Sequence, residues 1–283
     1  SEAYRTTLNQ QLAAGARSFA AARQAAVQAL CPGADIAALL DKSNNNLAVE
    51  YCKAIIELNV EMQPIALPRQ GADHGQALTE SAHAAFASAS ALRALWAEGG
   101  AAAMAPYVPQ KALKLYKQAE YDGKYTDFAV MGHCELALLR AACTEQAPFA
   151  AVRGVSEGLE HRLENAVRET ASLPALLDAL TTVRYPRARM RRLAMDAALG
   201  YTAQTPALPP YLHLLGARKE ALPLPGETAL PLSHSLARLA RENETCAQMA
   251  AAQSRASDLG ALCRAKPEPM GGIYRQKIIF LTN

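Results

Sequence analysis

The chain has 283 residues, enough for one large or two ordinary domains. Hydrophobic residues make up 51% of it, much of that alanine, and aromatics only 6%; the balance favours closely packed helices and argues against a β-sandwich or barrel. The net charge of +3 is too small to require a polyanion partner, so charge is informative only where it clusters.

Tyr4, Leu8 and Leu12 recur at helical spacing, with Gly15 as a stop. Ser18 is a cap for a second helix that runs to Leu30 and ends at CPG (31–33). Asn44 or Asn45 caps a third, with Leu47, Tyr51, Ala54, Ile55 and Leu58 on one face. MQPIAL (62–67) is short and apolar and is expected to be a strand, near an edge because of Pro64. Residues 70–79 are then a loop, and Ser90 opens a helix through Trp96. Helix, strand, loop, helix is the order found in the back half of an α/β nucleotide-binding domain.

The glycine and proline cluster at 99–109 marks a domain boundary. Helical patterns follow at 110–120, 128–143, 159–170, 174–181 and 187–199. Pro206, Pro209 and Pro210 end that run. YLHLLG (211–216) is expected to be a strand, two helical segments follow, and IYRQKIIFL (273–281) closes as a strand or apolar tail. The expected architecture is mostly α with a minor α/β part. Its three regions are 1–100, a helical domain at 101–203, and a small mixed α/β region at 204–283.

Cys31, Cys52, Cys134, Cys143, Cys246 and Cys263 are scattered without a Cys-x-x-Cys pair, which argues against a structural zinc site. Most of them sit in apolar helical stretches and are expected to be buried free thiols, consistent with a reducing cytoplasm. The polar opening SEAYRTTLNQ is not a signal peptide, and no apolar run reaches the about 20 residues that span a membrane.

Several motifs bear on function. In SASALR (88–93), Ser90 and Arg93 fall on one helix face, where backbone N–H, hydroxyl and guanidinium groups can meet a phosphate. In KSNNNLAVEY (42–51), asparagine amides can read a nucleotide or clamp a turn. Arg69 follows the expected strand, where α/β folds place ligand contacts. VRYPRARMRR (183–192) concentrates Arg184, Arg187, Arg189, Arg191 and Arg192 with Asp196 the next acid along, and Lys111 and Lys114 lie in KALKLYKQ (111–118). Unpaired density of that kind favours a polyanion. Tyr185 either stacks on a base or packs under the next helix, the packing role being the commoner. His133 and Cys134 are adjacent on a helix, about 100° apart, and are expected to pack in the core rather than act as a catalytic pair.

SEGLEHRLENAV (156–167), the 183–193 arginine block and PPYLHLLG (209–216) resemble the helical region of bacterial tRNA(Met) cytidine acetate ligases, a family of nucleotidyltransferases. DKSNNNLAVEY, Arg69 with Gly71 and His74, SASALR and RASDLGALC (255–263) follow in the family's order, so the resemblance covers essentially the whole chain. It implies a Rossmann-like nucleotidyltransferase remnant in the first region and tRNA binding in the second. It also implies use of ATP with Mg²⁺, activation of acetate as acetyl-adenylate, and transfer to N4 of the wobble cytidine of elongator tRNA(Met). Asn45 and Arg69 are then ATP contacts, with Asn44, Ser90 and Arg93 beside them. Arg184, Arg187, Arg189, Arg192, Lys111 and Lys114 are RNA contacts, and neither DNA nor membrane is an expected partner. Ser43, Ala48 and Ser90 stand where the family usually has proline, glycine and threonine, which affects cap geometry.

The family's first strand carries a His-x-Gly-His loop. His74, His83, His133, His161, His213 and His234 are too widely spaced to form one. The expectation is a shortened chain that does not form acetyl-adenylate alone. Two rival functions stay open: a small-metabolite adenylyltransferase that needs no RNA, and a non-catalytic helical interaction module.

Overall fold

A computed structural model describes residues 1–16, 19–33, 40, 43–67, 87–218 and 228–281. The chain divides into two compact units, Ser1–Gln70 and Gly71–Asn283. The division precedes the 99–109 cluster, which lies inside the second unit.

In the first unit, α1 (Glu2–Ala13) starts at Ser1, whose hydroxyl accepts the Tyr4 N–H. It packs on α2 (Phe19–Leu30), where Ala22 and Ala26 are fully buried and let the backbones approach. Arg23 of α2 pairs with Glu50 of α3 (Ser43–Glu57) at 2.9 Å. Asn44 and Asn45 lie inside the first turn of α3 instead of capping it, while Asn46 donates to the Leu40 carbonyl at 2.6 Å. The apolar face of α3 is only partly covered, and Leu47, Tyr51 and Leu58 stay exposed. The expected strand at 62–67 does not form. Among the described residues this segment has no strand partner, Pro64 offers no N–H, and Met62, Ile65 and Leu67 project outward.

The second unit begins with α4 (Ala89–Ala103), capped by Ser88 through the Ala91 N–H at 3.2 Å. The capping serine is therefore Ser88, and Ser90 sits one residue inside the helix. Gly99 and Gly100 kink α4. Gly100, at φ 64° and ψ −161°, occupies a region open essentially only to glycine. The Glu120 carboxylate of α5 (Gln110–Asp122) accepts the Ala101 N–H at 3.2 Å from each oxygen, capping the helix as it restarts. Trp96 of α4 meets Tyr116 of α5 edge-on at 6.0 Å.

The main core lies among α6 (Phe128–Ala142), α7 (Leu159–Glu169), α8 (Leu173–Leu180) and α9 (Arg187–Ala198). Each start is set by local chemistry. Asp127 caps α6 and Ser172 caps α8 by side-chain bonds, Gly158 enters α7 left-handed, and Pro186 precedes α9. Leu136, Leu139, Leu159, Leu163, Leu176, Leu180, Met190 and Leu193 fill the centre.

The end of the chain carries β1 (Leu212–His213), β2 (Gly216–Arg218), β3 (Leu232–Ser233), α10 (Leu236–Leu239), α11 (Glu244–Leu262), α12 (Gly272–Arg275) and β4 (Ile279–Leu281). The expected 211–216 strand is split: β1 pairs parallel with β3, and β2 parallel with β4. A second small core joins Tyr211, Leu236, Leu239, Cys246 and Ala250. Mostly α with a minor mixed end is thus the observed class. Among the described residues no helix is long and apolar enough to cross a membrane. All six cysteines are free, but only Cys246 and Cys263 are buried; Cys31 and Cys52 are exposed, contrary to expectation, because the first unit covers less of its helices. His133 is exposed too, its Nδ1 bonded to the Ala129 carbonyl at 2.8 Å.

Gly100→Ala should destabilise the fold. A Cβ there would overlap the Glu120 carboxylate, and the backbone strain alone costs on the order of 1–3 kcal/mol. Chemical denaturation should show a lower midpoint at unchanged slope; an unchanged midpoint would contradict this account of the kink.

Candidate nucleic-acid interface

EGLEHR and the arginine block, far apart in sequence, meet in space. The turn before α9 closes on itself: Thr182 N–H donates to the Tyr185 carbonyl at 3.0 Å and Tyr185 N–H returns to Thr182 at 3.2 Å. Val183 and Arg184 stand at its tip. Glu157, just before α7, has a left-handed backbone at φ 58°, uncommon for a residue with a side chain. Its carboxylate pairs with Arg184 and accepts the Tyr185 hydroxyl at 3.1 Å. The Tyr185 ring lies 5.7 Å from the Arg184 guanidinium and 5.1 Å from that of Arg189. Its other side packs against the main core.

The block is therefore less unpaired than its sequence suggests. Arg184 has Glu157, Arg187 pairs with Asp178 of α8, and Arg189 donates to the Gly154 carbonyl at 3.4 Å. The acids come from elements remote in sequence. Asp196, the nearest following acid, is occupied by Arg153 in a bidentate pair at 2.7 and 2.8 Å. Arg192 is exposed on α9 and makes no ion pair among the described residues. Lys111 and Lys114 are exposed on α5, which packs on α4, whereas α9 packs on α6 and α8. The lysines and arginines thus lie on different helix layers.

Beneath the turn is an open cleft of about 440 Å³, walled by α7 and by Ala179 near the end of α8. Arg162, Asn165 and Glu169 of α7 face it at helical spacing. Arg162 is held by the Ala179 carbonyl at 2.6 Å. Motif reading missed Asn165 and Glu169; the one-turn spacing from Arg162 through Asn165 to Glu169 was the available signal.

Glu135 of α6 is a second polar feature under α9. It is 1% exposed, and its Oε1 has no hydrogen-bond partner among the described residues. Burial pushes its carboxyl up to about 7, and the Arg191 guanidinium opposes that rise.

The nucleotide candidates fall in two units, each described by itself. Asn44 is exposed and Asn45 half-buried on the first turn of α3. In the second unit Ser90 is half-buried and Arg93 exposed on α4. Arg69, with Gly71 and His74, lies outside the described residues. Neither first turn carries an acid, so both helix starts keep the positive end that suits phosphate oxygens. Each start by itself offers donors of the kind a phosphate oxygen accepts. Among the described residues no group of three or more His, Cys, Asp or Glu side chains could hold an ion.

The second unit is helix-rich and carries the arginine turn, and each unit has a helix start with candidate donors. The comparisons assign the class, a nucleotidyltransferase. The HIGH Nucleotidyl Transferase family profile matches residues 1–270, and the chain belongs to that family. A tRNA(Met) cytidine acetate ligase of Listeria monocytogenes serovar 1/2a is 29% identical over 186 residues, 64% of this chain and 45% of the relative. One from Caldanaerobacter subterraneus subsp. tengcongensis is 28% identical over 200 residues, 69% of this chain and 47% of the relative. The match thus spans about half the length of these curated relatives. Thermotoga maritima TmcAL has the same fold, with TM-score 0.81 at 20% identity to the form bound with alpha-thio ATP and 0.84 at 21% to the apo form. These likenesses cover 99% and 100% of this chain, and 71% of the Thermotoga chain in each case.

Because folding raises the Glu135 pKa, its unfolded form loses the proton first. The contribution of Glu135 to stability should be largest below the ordinary carboxylate value of 4.5 and be lost as pH rises to about 7. Glu135→Gln should flatten that fall and raise the melting midpoint at pH 8. Parallel melting curves of the two proteins from pH 5 to 8 would refute the assignment.

Proposed function

We propose that this chain provides nucleotide- and RNA-binding parts of an ATP-dependent ligase that modifies tRNA. In this reading an acetate oxygen attacks the α-phosphorus of ATP, and pyrophosphate leaves. The N4 amine of the wobble cytidine of elongator tRNA(Met) then attacks the acyl carbon, releasing AMP. Asn44, Asn45, Arg69, Ser90 and Arg93 bind the nucleotide. Arg184, Arg187, Arg189 and Arg192, with Lys111 and Lys114, carry the RNA. Positioning and charge stabilisation are the chain's contributions, since no described side chain is arranged as a general base. In this reading Mg²⁺ accompanies the nucleotide phosphates.

The observation that supports this best is the meeting of the EGLEHR and arginine motifs on one exposed turn, in a chain of the nucleotidyltransferase family whose curated relatives are tRNA ligases.

Binding of a tRNA(Met) transcript across a salt series tests it. Arg192→Glu is the cleanest substitution, because this side chain holds no ion pair among the described residues. It should weaken binding and reduce the log–log salt slope by roughly 0.7–0.9 per lost phosphate contact. Arg184→Gln and Arg189→Gln should do the same while also loosening the Tyr185 turn. If all three leave affinity and slope unchanged, the surface does not bind RNA, and an RNA-independent adenylyltransferase becomes the better reading.

A further inference from the structure

We propose that the cleft under the arginine turn accepts one unpaired nucleobase bearing an exocyclic amine, base inward and phosphates at the rim. The proposal rests on the RNA-binding function above and names what that surface would read. The cleft's volume of about 440 Å³ falls inside the roughly 300–1,000 Å³ typical of small-ligand sites. Its polar lining is the wrong charge for a phosphate. Glu157 stands at the lip and Glu169 along the wall, while the Arg162 guanidinium is turned into the Ala179 carbonyl at 2.6 Å. Glu157 is already paired with Arg184, but Glu169 has no cation partner among the described residues, and such a carboxylate repels a phosphate and accepts N–H donors.

Asn165 and Glu169 lie one turn apart on the same face of α7. Neither side chain makes a hydrogen bond or ion pair among the described residues, so both are available. A carboxylate beside an amide can accept from the amine of cytosine or adenine, and the amide can also donate to a ring nitrogen or carbonyl. Arginines border the cleft instead of entering it. Arg184 sits on Glu157, and Arg187 on Asp178, next to the Ala179 wall. Phosphates flanking an inserted base would meet those guanidinium groups, and a guanidinium plane can also stack on a base. The same rim disfavours a lysine-rich peptide, which the acidic interior alone would welcome.

The test uses the full chain and two fluorescein-labelled ten-nucleotide RNAs, oligo(C) and oligo(U), whose bases have the same ring size and differ in the exocyclic amine. Anisotropy titrations should show oligo(C) binding on the order of tenfold tighter, about 1.4 kcal/mol. The double variant Asn165→Ala, Glu169→Gln should bring the ratio near one, with the helical circular dichroism and the salt slope kept. A wild-type chain without preference for oligo(C) overturns the proposal, as does a double variant that keeps the preference. A variant that weakens both RNAs equally also overturns it, while leaving the RNA surface intact. If neither the oligonucleotides nor a tRNA(Met) transcript binds at low salt, the RNA-binding function falls, and this proposal with it.

Discussion

Four helices share one apolar core, and the 3.6-residue period leaves each of them little choice of what to show outside. On α9, burying Met190, Leu193, Ala194 and Ala197 turns Arg187, Arg191 and Arg192 outward. On α7, burying Leu159, Leu163, Ala166 and Val167 leaves Arg162, Asn165 and Glu169 along the cleft. Each fully buried leucine contributes roughly 1.5–3 kcal/mol, whereas an exposed ion pair contributes about 0–1 kcal/mol. The core therefore fixes the helices, and the polar surface inherits its layout from that.

The Glu157 junction works within this frame by geometry more than by energy. Its pair with Arg184 is exposed on both sides and adds little stability. It does, however, give a left-handed glutamate a reason to hold its backbone, and it fixes the Tyr185 ring between core and solvent. Gly158 follows at φ 82°, so two successive left-handed residues turn the chain sharply into α7. A strained residue held by partners from a distant turn is a common arrangement where a surface must keep one shape.

Much of this was legible in the sequence. The helices α5 to α9 emerge within a residue or two from apolar periodicity, because their patterns are long and their starts carry recognisable signals such as Asp127, Ser172 and Pro186. The segment at 62–67 departs from the expected strand because apolar character and length describe a strand's side chains but not its hydrogen-bonding partner, and no described segment pairs with it. Two serines precede Leu92, so the sequence alone lets Ser90 open the helix, and only the Ala91 bond to Ser88 chooses between them. The arginine block looked unpaired because Glu157 and Asp178 approach it through space. No window along the chain contains both partners. The buried Glu135 had no sequence signal beyond being a lone acid in an apolar helix.

Counting arginines accordingly overstates how much phosphate the turn can neutralise. A guanidinium already paired with Glu157 or Asp178 must release that carboxylate, or share its donors, before it can replace a counterion on RNA. With five N–H donors an arginine can share, so the pairs need not break, but the charge gained is partly cancelled. In the RNA-binding reading proposed above, Arg192, without such a partner among the described residues, would bring its full charge to a phosphate. The paired arginines contribute chiefly orientation, holding planar groups at fixed positions along the cleft edge. On the proposed reading, a surface built this way would trade electrostatic strength for register, the part that phosphate contacts play while base contacts specify.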